Sequence, residues 1–110
     1  MLKIELKRAQ NDYGFEATDA YGHTVRIDTS PDSGGQNFGS RPMQLLLMAL
    51  AGCSAIDVIS ILKKQRQEVI DYKMVVQGER EGNKEPSLWK DIEVEFHIYF
   101  ELGLWDLLLK

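Results

Sequence analysis

Residues 41–64 read RPMQLLLMALAGCSAIDVISILKK, a long and almost purely apolar run. Ser40 is a suitable N-cap before it, Pro42 is tolerated in a first helical turn, and cations near the end suit the helix dipole. The pattern therefore predicts a helix over residues 41–66. Its apolar side chains lie nearly all round the helix instead of along one stripe, which is typical of a buried helix. We expect such a helix to need cover on more than one side, beyond what a chain this short supplies by itself.

The same run is about long enough for a membrane span, which needs ~20 mostly apolar residues. Asp57 would then lie inside the bilayer, where an acid at the centre of a span costs roughly 2.5–3.5 kcal/mol. Gly52, Ser54 and Ser60 lower the hydropathy further. We therefore interpret the run as the packed core helix of a soluble protein and expect no membrane partner.

Size and charge narrow the functional classes. The chain of 110 residues suits one domain, residues 1–110. Its 13 basic and 17 acidic residues give a net charge of -4, which argues against a nucleic-acid partner. The single cysteine, Cys53, permits neither an internal disulfide nor a multi-cysteine metal site, so we expect no metal and no cofactor. A reducing cytoplasm is the natural setting, and early charged residues break the apolar run that a secretory signal would need.

The rest of the chain has the alternation of strands. Residues 1–40 predict a small antiparallel meander, in which Leu2, Ile4 and Leu6 share one face of the first strand, followed by a loop that carries Phe38. Residues 69–100 predict an antiparallel pair of long strands, each with one apolar face, joined by a polar turn over residues 81–87. The apolar face of the first strand is expected to carry Ile70, Tyr72, Met74 and Val76. The tail, residues 101–110, is strongly apolar and is expected to pack as a short helix or strand, or to join a subunit contact.

Cys53 is the one residue whose chemistry stands out. It lies about eleven residues into the predicted helix, or ~16 Å from its start, too far for the helix dipole to favour a thiolate. Asp57 follows one turn later on the same face, and a neighbouring carboxylate disfavours the thiolate. On these facts alone Cys53 is predicted to be a buried, inert cysteine. A reactive thiol would need a cation brought in by another segment or subunit.

The two histidines are predicted to be surface residues. His23 lies at a turn edge, and His97 alternates with Glu93 and Glu95 on the polar face of its strand. A Glu95/His97 pair lacks a third nearby ligand, so these residues do not predict a metal site.

The helix carries a family resemblance. The segments Pro42–Leu45 and Ala49–Cys53, followed by Ser54–Val58 and Leu62–Lys64, resemble the OsmC/Ohr family, the osmotically inducible protein C and organic hydroperoxide resistance proteins. The similarity covers most of residues 13–99 and is strongest to the OsmC-like branch. It implies an α+β fold in which antiparallel sheets wrap a long central helix and two chains intertwine into a homodimer.

The resemblance also implies a thiol peroxidase chemistry. In the better-known members one cysteine attacks a hydroperoxide and becomes a sulfenic acid, a second cysteine resolves it, and a dithiol resets the pair. Cys53 matches the first of these cysteines. Met43 stands where the peroxidases have Glu. The assisting Arg has no match, since Glu16 falls near its register and Arg26 aligns with an ordinary strand residue. The second cysteine of the family belongs to a later helix, and the resemblance implies that this final helix-and-strand portion is absent or replaced in the present sequence.

Three hypotheses follow. The first is an OsmC-like, stress-associated redox protein, dimeric and cytoplasmic, in which Cys53 is the catalytic nucleophile toward a small organic hydroperoxide and an external dithiol supplies the resolving thiol. The second is a non-catalytic homodimer with an inert Cys53 that binds a small apolar ligand near Cys53, Met43 and Phe38. The third is an altered chain without a working site, in which the apolar tail covers the core.

Overall fold

The structure is a computed structural model that describes residues 1–82 and 88–100, together with the backbone of residues 103–109. One long helix and six strands, all paired antiparallel, confirm the α+β fold. The strands are β1 (Glu5–Gln10), β2 (Gly14–Thr18), β3 (Thr24–Ile27), β4 (Val69–Arg80), β5 (Trp89–Phe100) and β6 (Gly103–Leu109), and the long helix is α1 (Pro42–Lys64). The chain divides into two compact units, unit 1 up to Leu46 and unit 2 from Leu47 onward.

Unit 1 is built on the meander β1-β2-β3. The turn between β2 and β3 is fastened by Asp19, whose carboxylate accepts the backbone N–H groups of Tyr21 and His23 at 2.8 and 2.9 Å. Because this turn ends β2 at Thr18, whose partner is Glu5, β1 begins only at Glu5. Leu2 and Ile4, expected in the first strand, lie before it and are exposed.

Unit 2 contains the sheet β4-β5-β6. Its core is centred on Phe96 and Ile98 of β5, each 6% exposed, and the Tyr72 ring of β4 stands edge-on to Phe96 with centroids 6.4 Å apart. Ile70 was expected on the same apolar face. That expectation is wrong: the strand pairing shifts register between Val69 and Asp71, and Ile70 is 64% exposed.

The tail adds a third strand to this sheet. Backbone pairing runs from Phe100 opposite Gly103 to Val94 opposite Leu109, so of the expected forms the strand is the one found. Residues 101, 102 and 110 lie outside the described residues, as do residues 83–87 of the expected polar turn.

Helix α1 is slightly shorter than the predicted residues 41–66. Arg66 adopts a left-handed conformation (φ 60°), and backbone bonds run from its N–H to the Lys63 carbonyl and from the Gln67 N–H to the Leu62 carbonyl. This is a Schellman motif, which satisfies the last carbonyls and ends the helix at Lys64.

The expected N-cap at Ser40 is also wrong. The first helical carbonyl belongs to Arg41, and Ser40 instead forms a parallel bridge with Ile27.

In the single chain α1 has no buried residue. By length and composition alone it is also a candidate to cross a membrane. The side that carries Leu47, Ala51, Val58 and Leu62 is half-buried, whereas the opposite side is exposed. Within the part of the chain that the structure describes, the expected enclosure of the helix is therefore not found.

Candidate active site

Cys53 lies near the centre of the exposed face of α1. Successive helical residues rotate by ~100°, so side chains three, four or seven positions away share its face. The face, which we call the Cys53 face, consists of Leu46, Ala49, Leu50, Cys53, Ile56, Asp57, Ser60 and Ile61, all exposed. Ile56, one of these residues, is 67% exposed. Apolar side chains in such a continuous row mark a surface that normally contacts something else.

The expectation of a buried Cys53 is wrong for the single chain, in which the residue is exposed. The reason is its rotation on the helix, since the half-buried side of α1 is the one opposite the thiol. Within the described part of the chain the thiol makes no hydrogen bond. It is therefore open to a reagent or to a partner surface.

Asp57 is the charged residue of the Cys53 face. Positions four apart on a helix bring Cβ atoms to about 5–6 Å, so its carboxylate and the Cys53 thiol are neighbours, and both residues are exposed. The expectation that a reactive Cys53 would need a cation from another segment or subunit stays a prediction.

Unit 1 brings together the two residues considered in place of the missing Arg. Glu16 and Arg26 are direct partners across β2 and β3, and the Arg26 Nε atom lies 3.9 Å from the Glu16 carboxylate. The Arg26 guanidinium stacks on the Phe38 ring, 4.9 Å from its centroid, a cation–π contact. Two contacts therefore position the exposed Arg26 guanidinium, one with the Phe38 ring and one with the Glu16 carboxylate.

Met43, Phe38 and Cys53 were predicted to line one ligand site. Phe38 and Met43 lie in unit 1 and are half-buried. Met43 and Cys53 are ten residues apart on α1, which separates them by about 15 Å along the axis. Cys53 belongs to unit 2, and the ligand site stays a prediction.

The histidines pair with carboxylates. His23 Nδ1 lies 3.1 Å from Asp19 in the exposed turn, and His97 Nε2 lies 3.4 Å from Glu95. Among the described residues no group of three or more His, Cys, Asp or Glu side chains is placed to hold a metal ion.

Two residues with unusual environments were not predicted from the sequence. Asp28 is 2% exposed, and its carboxylate accepts backbone N–H groups of the following loop; the bonds from Gln36 and Phe38 hold the pKa of Asp28 below its ordinary value. The Tyr72 hydroxyl is buried without a hydrogen-bond partner in the described structure, and burial raises the pKa of Tyr72. An acid after a strand resembles any surface turn residue, and only the neighbouring glycines Gly35 and Gly39 hinted at a close approach.

The sequence matches a protein family model and several curated proteins. The OsmC-like protein family model matches residues 33–104. Protein YhfA of Escherichia coli K12 is 40% identical over 82 residues, which are 74% of this chain and 58% of YhfA, and YhfA of Shigella flexneri matches to the same extent. The chain thus spans less than two thirds of the length of these curated relatives.

Solved structures agree with the fold. A hypothetical protein from Aquifex aeolicus is 30% identical, with a TM-score of 0.74 over 90% of this chain and 67% of the other. An OsmC-like protein of unknown function from Vibrio cholerae has a TM-score of 0.75 over 92% of this chain and 74% of its own, at 18% identity, so it speaks for the fold alone.

Proposed function

The chain belongs to the OsmC-like protein family, and from that premise we propose that it is a stress-associated, cytoplasmic thiol protein that reduces small organic hydroperoxides through Cys53 as a homodimer. The observation that carries the proposal is the exposure of Cys53 at the centre of an apolar helix face, inside the region that the family model matches. A thiol among apolar side chains suits a substrate with an organic body, and in the homodimer we propose that this thiol borders a pocket at the subunit contact.

The proposed reaction has two stages. The Cys53 thiolate attacks one peroxide oxygen, the O–O bond breaks, and the alkoxide takes a proton and leaves as the alcohol while Cys53 becomes a sulfenic acid. One thiol of an external dithiol then forms a mixed disulfide with Cys53 and releases water. The second thiol attacks that disulfide, which regenerates Cys53 and leaves the reductant oxidised.

Two apolar surfaces support the homodimer. The first is the Cys53 face of α1. The second is a row across the unit 1 sheet, in which Leu6 is opposite Ala17 and Ala17 is opposite Val25, with Leu6 and Val25 exposed. Covering both with a second copy removes apolar area from water, the main favourable term in association. It would also provide the second layer of cover that an all-round apolar helix requires.

Peroxide turnover is tested with cumene hydroperoxide and dithiothreitol. We expect catalytic consumption by the wild type, its loss in Cys53→Ser, and its retention in Ser60→Ala, a change on the same helix face. After peroxide alone, the intact mass of the wild type should rise by one or more oxygen atoms. Equal consumption by Cys53→Ser, or none by the wild type, would overturn the peroxidase proposal.

The dimer is tested separately by sedimentation. Ile56→Lys places a charge on the Cys53 face and should shift the protein toward monomer, whereas Ile70→Lys, a change at an equally exposed isoleucine of β4, should not. A monomeric wild type, or one that co-sediments with phosphatidylcholine vesicles, would contradict the proposal that a second chain covers this face.

A second candidate is favoured by Asp57. Because the neighbour of the Cys53 thiol one turn along the helix is a carboxylate and not a cation, we propose as the alternative a non-catalytic homodimer that binds a small apolar ligand near Cys53, Met43 and Phe38. Binding of the fluorescent probe 1-anilinonaphthalene-8-sulfonate, weakened by Phe38→Ala and Met43→Ala and accompanied by no peroxide turnover, would favour this candidate. Turnover lost in Cys53→Ser would exclude it.

A further inference from the structure

Residues 29–40 join the end of β3 to α1. Arg41 donates to the Asn37 side chain and to the Gly39 carbonyl at 3.0 Å each, and a buried carboxylate bonds to the rest of the segment. Asp28, the residue that follows β3, is 2% exposed. Its own N–H donates to the Ser40 carbonyl at 3.1 Å, and the Ser40 N–H donates to the Arg26 carbonyl at 3.1 Å. The two ends of the segment are therefore tied to each other at β3.

The Asp28 side chain ties down the middle of the segment. Its Oδ1 accepts the Thr29 N–H at 2.7 Å, and its Oδ2 accepts the N–H groups of Gln36 at 2.8 Å and Phe38 at 3.1 Å. An ionised carboxylate accepts on both oxygens and carries no donor, whereas a protonated carboxyl has an O–H donor on one of them. An asparagine in the same place would accept on one side alone and would point an amide donor at the other N–H groups.

Two glycines let the segment lie this close. A Cβ atom on Gly35 would overlap the Thr29 carbonyl and stand 3.0 Å from Asp28 Oδ1, and one on Gly39 would overlap the backbone of Arg26. The backbone of the segment therefore packs directly against the end of β3, and the hydrogen bonds of the Asp28 carboxylate hold it there. Phe38, one of the residues held by that carboxylate, carries the ring on which the Arg26 guanidinium stacks.

We propose that Asp28 is a latch: its carboxylate holds residues 29–40 against the end of β3, and removing its charge releases this segment, with Phe38, while the sheet β1-β2-β3 stays folded. The released state separates the Phe38 ring from Arg26 and exposes it. The latch is independent of the chemistry proposed for Cys53, so a protein without peroxidase activity would still have it.

The latch is tested by amide hydrogen exchange on the full chain. In Asp28→Asn we expect the amides of Gln36 and Phe38 to exchange at least tenfold faster and the Phe38 ring resonances to shift, while the paired amides of β2 and β3 keep their rates. Asp19→Asn is the matched control, because Asp19 also accepts two backbone N–H groups, in an exposed turn. It should leave Gln36 and Phe38 unchanged.

Unchanged exchange at Gln36 and Phe38 in Asp28→Asn would overturn the latch. So would equal acceleration in β2 and β3, because Asp28 would then support the whole unit. If Asp28→Asn does not fold, Gly35→Ala decides: it unseats the same segment with the carboxylate intact, and it should accelerate Gln36 and Phe38 alone. Unchanged or uniform exchange in that variant would equally overturn the proposal.

Discussion

The Asp57 carboxylate and the Cys53 thiol lie on successive turns of the same exposed face of α1, four residues apart. Side chains four positions apart are neighbours on a helix surface, so the thiol has a carboxylate beside it. An anionic group that approaches the sulfur therefore approaches that carboxylate as well.

Asp57→Asn should make Cys53 react faster. The Asp57 carboxylate repels an anionic reagent that approaches the neighbouring sulfur, and the asparagine removes that repulsion. The measurement is the rate of labelling by the anionic reagent iodoacetate at pH 7. Asp12→Asn, which removes a carboxylate from an exposed turn of unit 1, should leave the rate unchanged. A slower reaction in Asp57→Asn would mean that the carboxylate assists the thiol, for example by holding a cation beside it.

Acid should lower the stability of the fold by protonating two carboxylates, Asp28 and Asp19, which accept backbone hydrogen bonds. Hydrogen bonds from Gln36 and Phe38 lower the pKa of Asp28, and those from His23 and Tyr21 lower the pKa of Asp19, relative to the ordinary value of 3.8. A group whose pKa is depressed in the folded state stabilises the fold above its unfolded pKa, and this contribution is lost as the pH falls through the folded pKa.

The Tm of the wild type should accordingly exceed that of Asp28→Asn at pH 6, and the difference should shrink as the pH falls below about 3.8, since protonation removes the charge of Asp28 and puts an O–H donor on the carboxyl group. Thermal unfolding followed by circular dichroism between pH 6 and pH 2 provides the comparison. A difference in Tm that stays constant across this range would show that the charge of Asp28 does not stabilise the fold.

Gly78 of β4 lies directly beneath the Trp89 ring of β5. A Cβ atom on Gly78 would stand 2.7 Å from Trp89 Cε3 and 3.3 Å from Leu47 Cδ1, so Gly78→Ala must displace the ring. Overpacking of this kind typically costs about 1–3 kcal/mol. Chemical denaturation should show that loss in Gly78→Ala. Gly82→Ala, at a glycine with open space around it, should change the stability much less. Equal effects would show that the ring does not rest on Gly78 in solution.

Local pattern sufficed for the elements whose side chains repeat along the chain. The apolar run 41–64 predicted α1 to within two residues, and the alternation after Glu68 predicted β4 and β5. The pattern failed where one local change in the backbone decides which way a side chain points or where a helix ends. The register shift beside Ile70 turns that side chain outward, and the left-handed Arg66 stops the helix early. Neither event has a glycine or proline at the decisive position to announce it.

The site was harder to predict than the fold for a related reason. The position of Cys53 on α1 follows from the sequence, but its exposure depends on which side of the helix the rest of unit 2 covers.

For Asp28 the sequence gives no indication of a special environment. An acid between a strand and a Ser-, Gly- and Asp-rich loop has the sequence of a solvated turn, and only the folded backbone shows three N–H groups converging on its oxygens.

The β5 strand offers a matched pair for testing the core of unit 2. Ile98 is 6% exposed and lies opposite Tyr72, whereas Ile92, on the same strand, is 38% exposed. Ile98→Ala should cost about 2–5 kcal/mol of unfolding free energy, because it removes buried methyl groups and leaves a cavity. Ile92→Ala should cost clearly less, since part of that side chain already contacts water. Equilibrium unfolding in urea compares the two variants. A larger loss at Ile92 would mean that its outer face is covered in solution, by a second copy of the chain or by another segment, and would move the centre of the core toward that end of β5.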